Sequence, residues 1–135
     1  MSLNVLIVED NAVDAMLLQQ ALAREAVCAF TVIDQGDEAV EYLRSAAEEA
    51  PTNVPELILL DLNLPGADGV EVFNFVRSKV KLRHIPVAVV SSSPREILLS
   101  RAADADCYVT KPSNLEEYLA IGKELLSCVG DAHRL

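Results

Sequence analysis

The sequence has 135 residues, 51% of them hydrophobic, and sets 11 basic against 21 acidic side chains for a net charge of −10, which suits one domain with a sizeable core. That balance repels nucleic-acid phosphates and no basic patch offsets it, so nucleic acid is not an expected partner. No apolar run approaches the ~20 residues that cross a bilayer and no basic-then-apolar leader opens the chain, so a soluble, cytoplasmic protein without a membrane segment is expected.

The first apolar run, Val5-Leu6-Ile7-Val8, reads as a strand and stops at the acidic pair Glu9-Asp10. Asn11 is placed to cap a helix over about 12–26, with Ala15, Leu18, Leu22 and Ala26 on one face. Ala29-Phe30-Thr31-Val32-Ile33 is the second strand and ends at Asp34. Gly36-Asp37 opens a second helix carrying Ala39, Leu43, Ala46 and Ala50, and the segment Pro51 to Pro55 breaks it. Leu57-Ile58-Leu59-Leu60 is the third strand and ends at Asp61, followed by Leu62-Asn63-Leu64-Pro65-Gly66-Ala67-Asp68-Gly69.

A third helix starts near Gly69 with Val72, Phe73 and Val76 inward. The fourth strand, Val87-Ala88-Val89-Val90, runs into Ser91-Ser92-Ser93. Pro94 suits the first turn of a fourth helix ending near Asp104. Cys107-Tyr108-Val109 is the fifth strand and leads to Thr110-Lys111-Pro112. Asn114 caps a fifth helix whose Leu115, Tyr118, Leu119, Leu125 and Leu126 face the core.

Alternation of this kind predicts an α/β protein of (βα)5 order. Strands of near-continuous apolar character are buried on both faces, so the sheet is parallel with helices on either side. Right-handed crossovers then give a flavodoxin-like, doubly wound sheet of order 2-1-3-4-5, with its switch point between the first and third strands, beside Asp10 and Asp61. Residues 1–135 read as one domain with no output domain. Cys28, Cys107 and Cys128 are an odd set without CxxC spacing and read as buried thiols, not as a disulfide or zinc framework.

Singly, these polar residues have ordinary explanations: Asp10 or Asp61 as a helix cap, Lys111 as a solvated side chain, Tyr108 as a core or rim aromatic. His84 and His133 are isolated and read as surface residues. At equivalent strand ends, however, Glu9, Asp10, Asp61, Ser91 and Lys111 converge on one edge of the sheet. Three carboxylates in one crevice repel one another, and a hard divalent cation such as Mg²⁺ resolves the conflict. Asp61 then suits an oxygen nucleophile toward phosphorus, with Lys111 and the Ser91 hydroxyl stabilising the phosphoryl oxygens.

The Glu9-Asp10 pair, the Asp61-to-Gly69 loop with Pro65, Ser91 after an apolar strand, Tyr108, and Lys111-Pro112, in that order, resemble the receiver domain of two-component response regulators. The resemblance spans nearly the whole chain. It implies that Asp61 accepts a phosphoryl group from a histidine kinase or phosphotransfer protein, with Mg²⁺ on Glu9, Asp10, Asp61 and the Asn63 carbonyl. It further implies that Ser91 and Tyr108 form the switch, that Lys111 binds phosphate, that Asn63 and Ser93 tune dephosphorylation, and that the bond to Pro112 is cis.

Output by the face of the fourth helix, fifth strand and fifth helix follows from the same resemblance, toward a downstream protein or a second copy in a homodimer. The Leu-Leu-Asp-Leu-Asn-Leu-Pro run and Cys107-Tyr108 look like stand-alone receivers that serve phytochrome-type kinases. Two departures stand out: Asp104 occupies a place where the family carries a left-handed Gly, and the switch hydroxyl is Ser rather than Thr. Rival readings are a pseudo-receiver binding module, which the full set of acids, Ser91 and Lys111 opposes, and a haloacid-dehalogenase-type phosphatase. The latter wants an acid two residues after its nucleophile, and Asn63 stands there.

Overall fold

The computed structural model describes residues 2–49, 54–64, 68–94, 102 and 104–130. Five strands form one sheet: β1 (Leu3–Val8), β2 (Cys28–Ile33), β3 (Leu57–Leu60), β4 (Val87–Ser91) and β5 (Cys107–Thr110). Every pairing is parallel and the order is β2-β1-β3-β4-β5. The flavodoxin-like expectation is met.

All residues of β3 and β4 are buried, as unbroken apolar runs require when both sheet faces are covered. Alternate residues feed two cores. Leu6, Val8, Ile58, Leu60, Val87 and Val89 pack with Leu43, Val72, Phe73 and Val76. The last four come from α2 (Gly36–Glu49) and α3 (Gly69–Ser78). On the opposite face Val5, Ile7, Leu57, Leu59, Ala88 and Val90 pack with Leu18 and Leu22 of α1 (Ala12–Ala23) and with Tyr118 and Leu125 near the C-terminus.

Helix starts follow the sequence closely. The Asn11 side chain accepts from the N–H groups of Val13 and Asp14, and Asp68 accepts from Glu71. The expected fifth helix is divided instead into α4 (Leu115–Ala120) and α5 (Gly122–Ser127), with Asn114 capping the first through Glu117 N–H. A Cβ on Gly122 would overlap the Ala21 carbonyl, so the chain approaches α1 there by its bare backbone. Leu115, expected inward, is 59% exposed, because contact with α1 begins a turn later at the buried Tyr118.

Two further expectations are corrected. Cys107 and Cys128 form a disulfide, their Cα atoms 5.8 Å apart, and only Cys28 is a free thiol. An odd count without CxxC spacing concealed a pair that the fold joins across 21 residues, from the start of β5 to the end of α5. Asp104 has no positive φ; its carbonyl accepts from the Arg77 guanidinium at 3.2 Å, which holds the turn in ordinary backbone geometry. The predicted fourth helix, Pro94 to Asp104, lies largely outside the described residues, and no helix among the described residues is long and apolar enough to cross a membrane.

Gly69 fixes the other close approach. Its N–H donates to the Leu62 carbonyl at 2.9 Å, and a Cβ would strike the Asp61 carbonyl and Leu62 Cα. Gly69→Ala is therefore expected to destabilise by about 1–3 kcal/mol, as overpacking does, and to shift the backbone amide signals of Asp61 and Leu62. Urea unfolding and amide spectra check this; wild-type stability with unmoved signals would contradict the contact.

Candidate functional site

Register brings the site together. Val8 lies beside Leu60 and Leu60 beside Val89, so Glu9 and Asp61 emerge at one level from the central strands. The Asp61 N–H extends the ladder to the Val8 carbonyl at 3.0 Å, and the Lys111 N–H reaches the Ser91 carbonyl at 2.8 Å. Polar groups placed at the carboxyl ends of parallel strands thus share one crevice at the switch point.

At its centre is the Lys111 ammonium. Its Nζ lies 2.5 Å from Glu9 Oε1, 2.9 Å from Asp14 Oδ2 and 3.1 Å from Asp61 Oδ2. Glu9, Asp61 and the Lys111 side chain are all nearly inaccessible, whereas Asp10 is exposed. The Glu9 contact is an ion pair by distance, yet its angles leave the buried Oε1 without a hydrogen bond. Glu9 Oε2 accepts from the Asn11 N–H at 3.1 Å.

Burial raises Glu9 to about 7, against the opposing pull of Lys111 and the Asn11 N–H, and the charge of Asp61 adds to the rise. Burial works the other way on Lys111, but Glu9, Asp14 and Asp61 outweigh it and hold the ammonium above its usual range. Lys111 therefore stays charged wherever the protein is folded at ordinary pH.

Oxygens of Glu9, Asp10 and Asp61 all lie within 4.8 Å of one another. Carboxylate oxygens gathered this closely are the donors that would hold a hard divalent cation. One ammonium does not neutralise these three acids and Asp14, and the buried Glu9 Oε1, though paired in charge with Lys111, accepts no hydrogen bond. The donor set fits a hard divalent cation. A cleft of about 290 Å³ opens alongside, lined by Glu9, Asp10, Asp34 and Glu38. The larger hollow of about 440 Å³, near Asn4, Phe30 and Tyr42, lies by the start of β1 and away from these groups.

Other expected residues fall around this centre. The Asn63 N–H donates to Asp61 Oδ1 at 3.0 Å, and its amide Nδ2 lies 3.5 Å from Ser91 Oγ, so Asn63 bridges the Asp61 carboxylate and the Ser91 hydroxyl. Ser91 is fully buried and its Oγ accepts from the Ser93 N–H at 3.3 Å. Pro65, Gly66 and Ala67 lie outside the described residues. The Tyr108 ring packs on the core beside α3; its hydroxyl donates to the Ala102 carbonyl and accepts from the Ala105 N–H.

The expected cis bond is absent: Lys111–Pro112 is trans. Trans is the favoured isomer by about 0.5–1 kcal/mol, and with it the Lys111 N–H and ammonium still reach Ser91 and the three acids.

Asp14 and Tyr118 were missed as site residues. Asp14 Oδ2 accepts from Lys111 and Oδ1 accepts from the Tyr118 hydroxyl at 3.1 Å. Burial raises the Tyr118 phenol above its usual range, and the neighbouring Asp14 charge adds to that. A signal existed in the sequence: Asp14, Leu18 and Leu22 are spaced by four, which puts an acid on the inward stripe of α1.

The profile of the response regulator receiver domain matches residues 5–122. Response regulator Rcp1 of Synechocystis sp. is 34% identical over 116 residues, 84% of this chain and 79% of that protein. The crystal structure of the phosphorylated cyanobacterial phytochrome response regulator RcpA superposes with a TM-score of 0.82 at 37% identity, covering 94% of this chain and 93% of that one. The Mn²⁺-bound form of Rcp1 gives 0.79 at 32%, covering 92% and 91%. With its sheet order and its strand-end acids already placed, the chain belongs to the response regulator receiver domains.

Proposed function

We propose that Asp61 is the phosphoryl acceptor of a switch that alters protein–protein contacts. Receiver domains work with histidine kinases or phosphotransfer proteins, and the observation that carries the assignment is Asp61 Oδ2 standing 3.1 Å from the buried Lys111 ammonium within the acidic cluster. In the reaction an Asp61 oxygen bonds to phosphorus as the bond from phosphorus to the donor's imidazole nitrogen breaks, and the nitrogen keeps the electron pair. Lys111 then donates to a phosphoryl oxygen, and so does the Ser91 hydroxyl. Mg²⁺ on Glu9, Asp10, Asp61 and the Asn63 carbonyl supplies the remaining charge neutralisation when bound.

Engaging Ser91 draws the hydroxyl inward, and Tyr108 gives up its bonds at Ala102 and Ala105 to follow it. That change falls on the face formed by β5 and the helices after it, beside Ala102 and Ala105, which serves a downstream protein or a second copy. Asn63 and Ser93 flank the acceptor and set how readily water reaches it. The kinase is of the phytochrome type, in keeping with the response regulators Rcp1 and RcpA, and the setting is cytoplasmic.

Acetyl phosphate with Mg²⁺ is expected to add one phosphoryl group to the wild type and none to Asp61→Asn, by intact mass. Ser91→Ala is expected to label at Asp61 but to lose the phosphate-dependent change in partner binding or sedimentation. Labelling of Asp61→Asn at the wild-type rate would overturn the acceptor assignment.

Cation binding carries a pH signature. Below about 7 Glu9 holds a proton that an incoming cation must displace, so Mg²⁺ affinity should rise by up to about tenfold per pH unit between about pH 5.5 and 7, then level off. Calorimetry in buffers of different ionisation heat should register the released proton. A flat profile would show that Glu9 is ionised throughout.

A further inference from the structure

We propose that Asp14, held by Tyr118, is a positioning residue that keeps one hydrogen of the Lys111 ammonium fixed while the other two change partners. The inference rests on the phosphoryl-acceptor reading. An ammonium has three hydrogens, and here they face three acceptors: Glu9 Oε1, Asp14 Oδ2 and Asp61 Oδ2. Two of these belong to the reaction. Glu9 lies in the cation cluster and Asp61 gives an oxygen to phosphorus, so the Glu9 ion pair and the Asp61 hydrogen bond must both be remade when a phosphoryl group arrives. Asp14 stands outside the carboxylate cluster and can keep its bond throughout.

Asp14 is built for that part. Its two oxygens are divided between two donors, Oδ2 for Lys111 and Oδ1 for the Tyr118 hydroxyl. Tyr118 is 4% exposed, seated in the core between α1 and the sheet. The chain of bonds therefore runs from a packed aromatic on α4, through an acid on α1, to the lysine beside the acceptor. Without Asp14, the ammonium would have only Glu9 and Asp61, the two groups that the reaction needs released. With it, Lys111 pivots about a fixed point instead of dissociating, and any displacement of the lysine is felt at α4.

The variants Asp14→Ala, Asp14→Asn, Tyr118→Phe and the double Asp14→Ala/Tyr118→Phe test this, each shown to be folded by urea unfolding. In acetyl phosphate labelling with saturating Mg²⁺, Asp14→Ala is expected to raise the half-saturating acetyl phosphate about tenfold, the worth of a hydrogen bond to a charged group, with little change in the maximal rate. Tyr118→Phe should raise it about threefold, Asp14→Asn should recover most of the Ala defect by restoring an oxygen acceptor, and the double variant should match Asp14→Ala because both act in one chain.

The second readout needs neither phosphate nor metal. The Lys111 ¹⁵Nζ–H signal of the metal-free protein should be slow to exchange with water in the wild type and fast in Asp14→Ala. If the wild type fails to label at Asp61 while this signal responds to Asp14, the acceptor reading fails and the positioning stands. An unchanged ammonium signal in Asp14→Ala, wild-type half-saturation, or a double variant whose defect is the product of the singles would each overturn the proposal.

Discussion

One buried ammonium among several carboxylates is the constraint on which the rest depends. Glu9 and Asp61 sit where water cannot screen them, and isolated charges in such a place are heavily penalised. Lys111 makes their ionised forms tolerable without neutralising the group as a whole. The resulting excess of negative charge would be a defect in a purely structural core. Under the proposed function it is what would draw a divalent cation and, with the cation bound, a dianionic phosphoryl group.

That arrangement needs backbone accuracy more than side-chain ingenuity. Val8, Leu60, Val89 and Ser91 are set beside their partners by the parallel ladder. Residues one step beyond them inherit the alignment, which is why acids, hydroxyl and lysine meet although up to 102 positions separate them in sequence (Glu9 to Lys111). Gly69 then presses the loop after β3 from behind with no side chain in the way, and the Asn63 N–H holds one Asp61 oxygen from the front. Asp61 is fixed at both its main chain and its carboxylate.

Much of this was legible before any coordinates. Apolar runs of three to five residues that stop at polar ones announce parallel strands, and the caps Asn11 and Asn114 announce helix starts. The acidic cluster and Lys111 were legible because each sits immediately after a strand. What escaped notice depends on contacts between elements. The split between α4 and α5 comes from packing on Ala21, which no local pattern encodes. The Cys107–Cys128 bond joins residues with no motif between them. Asp14 hid inside a helix because its partners, Lys111 and Tyr118, lie 97 and 104 residues away. The cis expectation at Pro112 came from resemblance alone and the backbone does not bear it out.

The two helical layers also differ in when they can be completed during synthesis. Described residues of the layer beneath α2 and α3 run from Leu6 to Tyr108, so its parts have all emerged before the C-terminal helices. The layer over α1 is closed by Tyr118, Ile121, Leu125 and Val129, the last of the described core to leave the ribosome. At about 5–20 residues per second, Leu18 and Leu22 wait about 5–20 s for their cover. For that interval the apolar side of α1 that faces the C-terminal helices has no cover from them.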